Sequence, residues 1–223
     1  MQSTPTPTLR KQKTESILSN LGFSINEKLP IIMDETVAVL RTPQEIAKRI
    51  LGFAYLGLFA GDDEADVEEI VEYLKDETIW EVLSDQEKAY FIKAELTDSD
   101  KISISWRSEC MFILLWVLNK IEKPEWPINE CNISDCLDLL PEYLDPANDF
   151  IETASLRSIT EILDETDLLF RMNWSIKEKA ETTLKPTIKV NSGVVQEWQQ
   201  ALSWVVYKNI DWDDVSTIPG IGR

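Results

Sequence analysis

Histidine is absent from all 223 residues of the chain. Without it the Ser-His-Asp and Cys-His pairs that activate nucleophiles cannot form. Histidine-containing zinc sites and the usual proton carrier near neutral pH are excluded as well. An enzyme made from this sequence would have to use carboxylates, lysine, tyrosine, cysteine or a bound metal. We identify no catalytic residue, no metal-ligand motif and no cofactor-binding motif.

Basic residues are scarce, with 22 Lys and Arg against 40 Asp and Glu and a formal net charge of −18. A field of this sign repels phosphate backbones and anionic lipid surfaces, so we expect neither nucleic acid nor a membrane as partner. A basic protein partner is favoured instead. The simpler interpretation is that net negative charge keeps the protein in solution.

Cysteine and long apolar runs are also rare. The three cysteines are Cys110, Cys131 and Cys136, and their odd number favours reduced thiols in a cytoplasmic protein. The first residues lack the charged and apolar regions of a signal peptide. The longest apolar run, 110–118, has nine residues, whereas a membrane helix needs about 20. We therefore predict a cytoplasmic location.

Glycine is scarce, with seven in the chain, and alternating strand patterns are nearly absent, which predicts an all-α fold. Capping boxes that begin with Thr42 and Ser84 mark two helix starts, and Pro43 suits a first helical position. Further helices are predicted over 66–74, 135–143 with Ser134 as cap, 155–179 and 194–208. The less regular stretch 28–39 leaves room for short extended structure.

A central helix is predicted over about 104–121, because its apolar residues cover every side for more than two turns. Such a helix must be surrounded by others, so we predict a single globular multi-helix domain over 13–217. The ends, 1–12 and 218–223, are predicted to be a flexible N-terminal tail and a C-terminal tail.

Arg107 and Glu109 stand at the start of this central helix, two residues and about 200° apart, so each needs a different partner. The long helix over 155–179 offers Asp164, Asp167 and Arg171. These five could form a structural ion network. They could also line a ligand pocket, with three further residues as its lid, namely Trp212, Asp213 and Asp214.

A run of six carboxylates lies within 62–69: Asp62, Asp63, Glu64, Asp66, Glu68 and Glu69. Calcium loops of the EF-hand type need alternating ligands and a glycine at the sixth position, where this chain has Val67. Carboxylates suit the start of a helix, so the run is interpreted as a solvated helix start. A docking patch for a basic partner is the functional alternative.

Four stretches carry a family resemblance: 41–49, 106–116, 156–174 and 197–215. In order and spacing they resemble the bacterial family catalogued as domain of unknown function 4272, over about 10–217. The resemblance implies a cytosolic single-domain protein and supplies no catalytic residues. The family pattern commonly has a histidine immediately before the tryptophan of the third stretch, where this chain has Asn173. Chemistry that depends on that histidine is therefore not available here in the same form.

The sequence leaves two functions open. The first is a non-enzymatic interaction protein, in its sharper form an acidic immunity protein that neutralises a basic toxin or another cationic protein. The second is a small-molecule-binding protein or a carboxylate-based enzyme that uses the Arg107 and Glu109 cluster. The sequence does not indicate an oligomeric state.

Overall fold

A computed structural model describes residues 6–62, 64–178 and 186–217. Within these ranges all regular structure is helical, which confirms the predicted all-α fold. The α-helices in chain order are α1 (Pro7–Asn20), α2 (Pro43–Gly61), α3 (Val67–Asp76), α4 (Asp85–Phe91), α5 (Asp98–Ser105), α6 (Arg107–Val117), α7 (Ile133–Leu137), α8 (Asn148–Glu152), α9 (Ile159–Lys177) and α10 (Ser192–Val206). Two 3-10 helices cover Trp80–Val82 and Trp212–Thr217.

The helix starts follow the predicted chemistry. Thr42 Oγ1 accepts a hydrogen bond from Glu45 N at 3.1 Å, and Glu45 Oε2 accepts one from Thr42 N at 2.7 Å. Ser84 and Glu87 form the same reciprocal box at α4. The cap satisfies amide groups that have no partner inside the helix.

The central helix is present but divided. Trp106 separates α5 from α6, so the single helix predicted over 104–121 is two helices with a turn between them. α6 packs against α2 and α10, and nine of its residues are buried: Arg107, Glu109, Cys110, Met111, Ile113, Leu114, Leu115, Trp116 and Val117. It ends where Asn119 adopts φ 57° and Lys120 N donates to Leu115 O at 3.0 Å, the geometry of a Schellman cap.

The prediction of a flexible tail over 1–12 is wrong for residues 7–12, because α1 begins at Pro7. Thr6 caps this helix, and its proline occupies the first turn, where a missing amide hydrogen costs nothing. Arg10 is 1% exposed and anchors the helix to α9. Residues 1–5 and the predicted C-terminal tail 218–223 lie outside the described ranges.

Two further boundaries differ from prediction. α7 ends at Leu137 rather than at 143, and its cap is Asn132 rather than Ser134. Pro141 disfavours helical geometry in the residue before it, which explains why no helix continues toward 143. The stretch 28–39 contains turns and no strand, and Asp34 Oδ1 accepts from Thr36 N at 2.8 Å in one of these turns.

Candidate functional site

Two buried arginines, Arg49 of α2 and Arg107 of α6, lie beside the same indole ring. Their guanidinium carbons are 4.3 Å and 5.4 Å from the ring centre of Trp212. Arg49 Nη2 donates to Glu87 Oε1 at 2.7 Å, and Arg107 Nη1 donates to Glu197 Oε2 at 3.3 Å. Each cation therefore has its own carboxylate, and the ring of Trp212 contributes a cation–π contact to both.

The electrostatics of this cluster favour stable charges rather than reactivity. Burial lowers the pKa of Arg49 to about 10, and Glu87 opposes this shift. Burial and Glu197 raise the pKa of the Cys110 thiol, which donates to Glu197 Oε2 at 3.2 Å. Because the thiolate is the nucleophilic form, a buried thiol with a raised pKa is a poor nucleophile.

Glu109 faces a different neighbour from Arg107, as their spacing on the helix requires. Its Oε2 accepts from Trp198 Nε1 at 2.9 Å, and its Oε1 accepts from Cys131 N at 2.6 Å. The residue is 1% exposed, so both oxygens are held by protein donors away from solvent. This carboxylate supports the packing of α6 against α10 and against the loop that contains Cys131.

Asp164, Asp167 and Arg171 do not join Arg107 in one cluster, which corrects the grouping made from the sequence. Arg171 pairs with Asp167 at 2.9 Å, and Asp164 accepts from Arg10 at 2.9 Å. Arg171 also contacts α1, through Glu15 at 3.3 Å. The missing element in the sequence grouping was α1, which was not predicted as a helix and whose first residues, 7–12, had been assigned to a tail.

The predicted lid, Trp212 to Asp214, is anchored rather than open. Trp212 is 3% exposed, and its ring packs edge-on against Phe53 with 5.0 Å between ring centres. Asp213 Oδ2 accepts from Gln86 N at 3.2 Å, which ties this segment to α4.

A polar groove of about 510 Å³ lies between the 3-10 helix Trp212–Thr217 and the start of α4. Its charged lining residues are Glu45, Glu81, Asp85, Asp211, Asp213 and Asp214, together with Arg41 and Lys88. Trp212 lines the groove, whereas Arg107 and Glu109 are not among the described residues that do so. Of the residues predicted to form a pocket around Arg107, only the predicted lid, Trp212 to Asp214, lines this groove. The lining of the groove contains more carboxylates than cations.

The acidic run at 62–69 is a surface feature. Its described carboxylates are exposed at Asp62, Glu64, Asp66, Glu68 and Glu69, and Asp63 lies outside the described ranges. Asp66 Oδ1 accepts from the amides of Glu68 and Glu69 at 3.0 Å and 3.1 Å, so it caps α3. The remaining carboxylates face solvent, where a partner can reach them.

Two of the three cysteines approach one another. A hydrogen bond shared with Cys136 and burial both raise the pKa of Cys131. All three cysteines are free thiols. Cys131 and Cys136 are five residues apart, a spacing that matches no common dithiol motif, so the sequence did not predict this interaction.

An apolar groove was not predicted at all. It lies between α2 and the segment 137–143, has a volume of about 250 Å³, and is lined mainly by leucine and tyrosine side chains. The signal in the sequence was the row Leu51, Tyr55 and Leu58 on α2, of which Leu51 and Tyr55 belong to the core and Leu58 is 38% exposed. The opposite wall is 80 residues away in sequence and gives no periodic pattern.

No group of three or more Cys, Asp or Glu side chains in the described ranges is arranged to hold a metal ion. Among the helices described, none combines the length and the apolar character needed to cross a membrane.

All six arginines of the described ranges are at most 12% exposed at the side chain: Arg10, Arg41, Arg49, Arg107, Arg157 and Arg171. Two of them bind helix ends. Arg157 Nε donates to Trp116 O at 2.7 Å, and Arg41 Nε donates to Trp204 O at 2.9 Å. Arginine thus serves mainly as an internal connector here, which suits its planar set of five donors.

A family model described as a domain of unknown function (DUF4272) matches residues 10–215. The chain belongs to the DUF4272 family. No curated protein and no solved structure matches the chain. The four stretches that carry the resemblance supply much of the DUF4272 interior, including Arg49, Arg107, Arg171 and Trp212. Asn173 is 4% exposed and donates from Nδ2 to Gln199 Oε1, so it joins α9 to α10.

Proposed function

We propose that this DUF4272 protein is a non-enzymatic binding protein whose partner is a basic protein. In its sharper form it is an immunity protein that masks a cationic toxin. The observation that carries the proposal is the separation of charge: the formal net charge is −18, the six described arginines are largely buried, and the described carboxylates of 62–69 are exposed. Buried carboxylates such as Glu87, Asp167 and Glu197 neutralise buried arginines, so the excess negative charge remains on the surface that a partner meets.

The buried polar groups support a structural rather than a catalytic role. Glu109 and Arg107 are held by protein partners, and the Cys110 thiol is buried with a raised pKa. An acidic surface accelerates association with a cationic partner by steering, without any reactive group. The free state of the three cysteines supports a reducing, cytoplasmic setting as part of the same proposal.

Co-expression with the product of the adjacent gene, followed by affinity capture, tests the proposal. We expect a basic protein to be retained and its association rate to fall as salt is added, because surface charges are screened. A variant with Glu64→Lys, Glu68→Lys and Glu69→Lys should slow association. The matched control reverses Glu95, Asp98 and Glu152, which are exposed elsewhere. The immunity form fails if the neighbour is not a toxin, and the proposal fails if no basic protein is retained.

A small cationic ligand is a second candidate, favoured by the polar groove. Its lining holds six carboxylates against two cations, and the buried Trp212 Nε1 has no hydrogen-bond partner among the described residues. Spermidine is a suitable probe because it matches the charge and the aromatic wall. If this candidate is right, spermidine should raise the melting temperature of the protein. The double variant Asp211→Asn with Asp213→Asn should abolish that rise. An unchanged melting temperature, or an equal rise in that variant, excludes it.

A further inference from the structure

The apolar groove opens to solvent at both walls. α2 contributes Leu51, Tyr55 and Leu58, whereas Leu137 at the end of α7 and Tyr143 in the segment after it form the opposite wall. Leu58, Leu137 and Tyr143 are 38%, 46% and 50% exposed. Isolated exposed apolar residues are common on protein surfaces, but a concave cluster of them is typical of a binding surface.

Hydrogen bonds and aromatic contacts preform this groove. Tyr55 Oη accepts from Leu144 N at 2.8 Å, which ties α2 to the opposite wall. The ring centre of Tyr55 lies 4.8 Å from that of Tyr73 and 6.1 Å from that of Tyr143. Tyr73 Oη donates to Asp145 O at 2.8 Å. A ligand would therefore meet a groove that needs little reorganisation, which lowers the cost of binding.

Both walls belong to segments that contain no lysine or arginine. Residues 50–74 carry seven carboxylates and residues 124–156 carry eight. Tyr143 Oη donates to Glu69 Oε2 at 3.4 Å, which connects the groove to the acidic run. Burial raises the pKa of Tyr143, and Glu69 and Asp66 add to the shift, as expected for a phenol at the edge of an acidic surface. The groove is thus an apolar cleft with an acidic rim.

We infer that this groove binds an amphipathic basic segment of a protein partner, with one or more large apolar side chains in the cleft and lysine or arginine against the rim. The inference rests on the proposed function and specifies its partner and contact site. An amphipathic helix placed in a groove is a recurrent mode of peptide recognition. Apolar burial then supplies affinity, and the surrounding carboxylates supply steering and selectivity.

The charge of the rim argues against other occupants. A second copy that used the same face would place carboxylates opposite carboxylates, which is unfavourable. Phosphate backbones and anionic lipid surfaces are repelled for the same reason. A cationic segment with an apolar face is the occupant that complements both features.

Two synthetic peptides test the inference. The first is a helical peptide of about 18 residues with leucine at i, i+3, i+4 and i+7 and lysine elsewhere. The second keeps every lysine and replaces each leucine with glutamine. Titrations followed by fluorescence anisotropy at one low ionic strength should give about tenfold tighter binding for the leucine peptide, as expected for burial of a leucine side chain.

A matched pair of variants locates the binding. Leu58→Ser with Leu137→Ser should remove the preference for the leucine peptide and leave binding of the glutamine peptide unchanged. Ile102→Ser, which changes a side chain 61% exposed on α5, should preserve the preference. Far-ultraviolet circular dichroism checks that all variants are folded.

The outcomes separate the inference from the proposed function. The inference about the groove is overturned if both peptides bind equally, or if Ile102→Ser weakens the preference for the leucine peptide as much as the groove variant does. Charge-driven binding would remain in place. If neither peptide binds at low salt, both the inference and the proposed function are overturned. A concentration-dependent dimer of the protein that Leu58→Ser with Leu137→Ser abolishes would assign the groove to a second copy and also overturn the inference.

Discussion

Arg49 Nη2 lies 2.7 Å from Glu87 Oε1, and the two side chains are 0% and 1% exposed. Glu87 has a second task, because its Oε2 accepts from Ser84 N at 2.9 Å and so caps α4. One carboxylate therefore neutralises a buried cation and also starts a helix.

Glu87→Gln is expected to lower the free energy of unfolding by about 3–5 kcal/mol, because it leaves Arg49 buried without its counter-charge. Glutamine retains the cap, so the loss reports on the charge. Glu45→Gln is the control: it stands in an equivalent capping box but its side chain is 33% exposed, so we expect about 1 kcal/mol or less. Urea denaturation measures both variants, and similar losses would contradict the assignment.

Gly193→Ala is expected to destabilise the fold by about 1–3 kcal/mol through overpacking. A Cβ at Gly193 would lie 2.5 Å from Cη2 of Trp106, a rigid ring at the break between α5 and α6. The matched change is Gly57→Ala in α2, where no atom lies within 4 Å of the added Cβ. There we expect a gain of about 0.5–1 kcal/mol from helix propensity. Thermal unfolding should move in opposite directions for the two variants, and shifts of the same sign would refute the packing argument.

Thr78→Gly is expected to stabilise the protein. Thr78 has φ 54°, a left-handed geometry that disfavours a β-branched residue and that glycine adopts without strain. Relief of about 1–2 kcal/mol outweighs an entropic cost of about 0.5–1 kcal/mol, so the melting temperature should rise by about 2 °C.

Thr78→Ala is the control for this substitution. It removes the hydroxyl that accepts from Lys48 Nζ but keeps the strained backbone, so no gain is expected. If alanine raised the melting temperature as much as glycine, strain at this position would not be the cause.

Glu165→Gln is expected to change how stability depends on pH. Burial raises the pKa of Glu165, and Lys123 at 3.1 Å opposes the shift. The folded state therefore binds the proton more tightly than the unfolded state, and the contribution of Glu165 is most favourable at low pH. That contribution is lost as pH rises through the raised pKa.

The difference in unfolding free energy between Glu165→Gln and the parent should accordingly shift in favour of glutamine as pH rises from below to above the ordinary pKa of a glutamate, about 4.3. Chemical denaturation at a series of pH values measures the difference. Glu152→Gln changes an exposed position of α8, and its unfolding free energy should depend on pH in the same way as that of the parent. A constant difference for Glu165→Gln across this range would show that burial does not perturb the group.

Local chemistry was the part of the fold that the sequence could predict. Thr42 with Glu45 and Ser84 with Glu87 are readable because cap and partner lie three residues apart. The same applies to the apolar character of α6. By contrast, Arg10 binds Asp164, 154 residues away, and no pattern within either segment specifies that contact.

The site was less predictable for the same reason. Arg107 and Glu109 were expected to have separate partners, and they do, but the identities of Glu197 and Trp198 depend on how α10 crosses α6. The apolar groove depends on the placement of Leu58 against Leu137, which only the tertiary arrangement decides.

Because the described arginines lie inside, the positive charge that reaches solvent in the described ranges rests mainly on lysine, as at Lys13 with 66% exposure and Lys93 with 42%. A reagent or enzyme that acylates lysine would thus act on the outside of the molecule and leave the arginine pairs intact. Such a modification would remove most of the exposed positive charge from a surface that is already acidic. The buried cations described are mainly arginine and the exposed ones mainly lysine, so the positive charge of the surface can change while the arginine pairs stay in place.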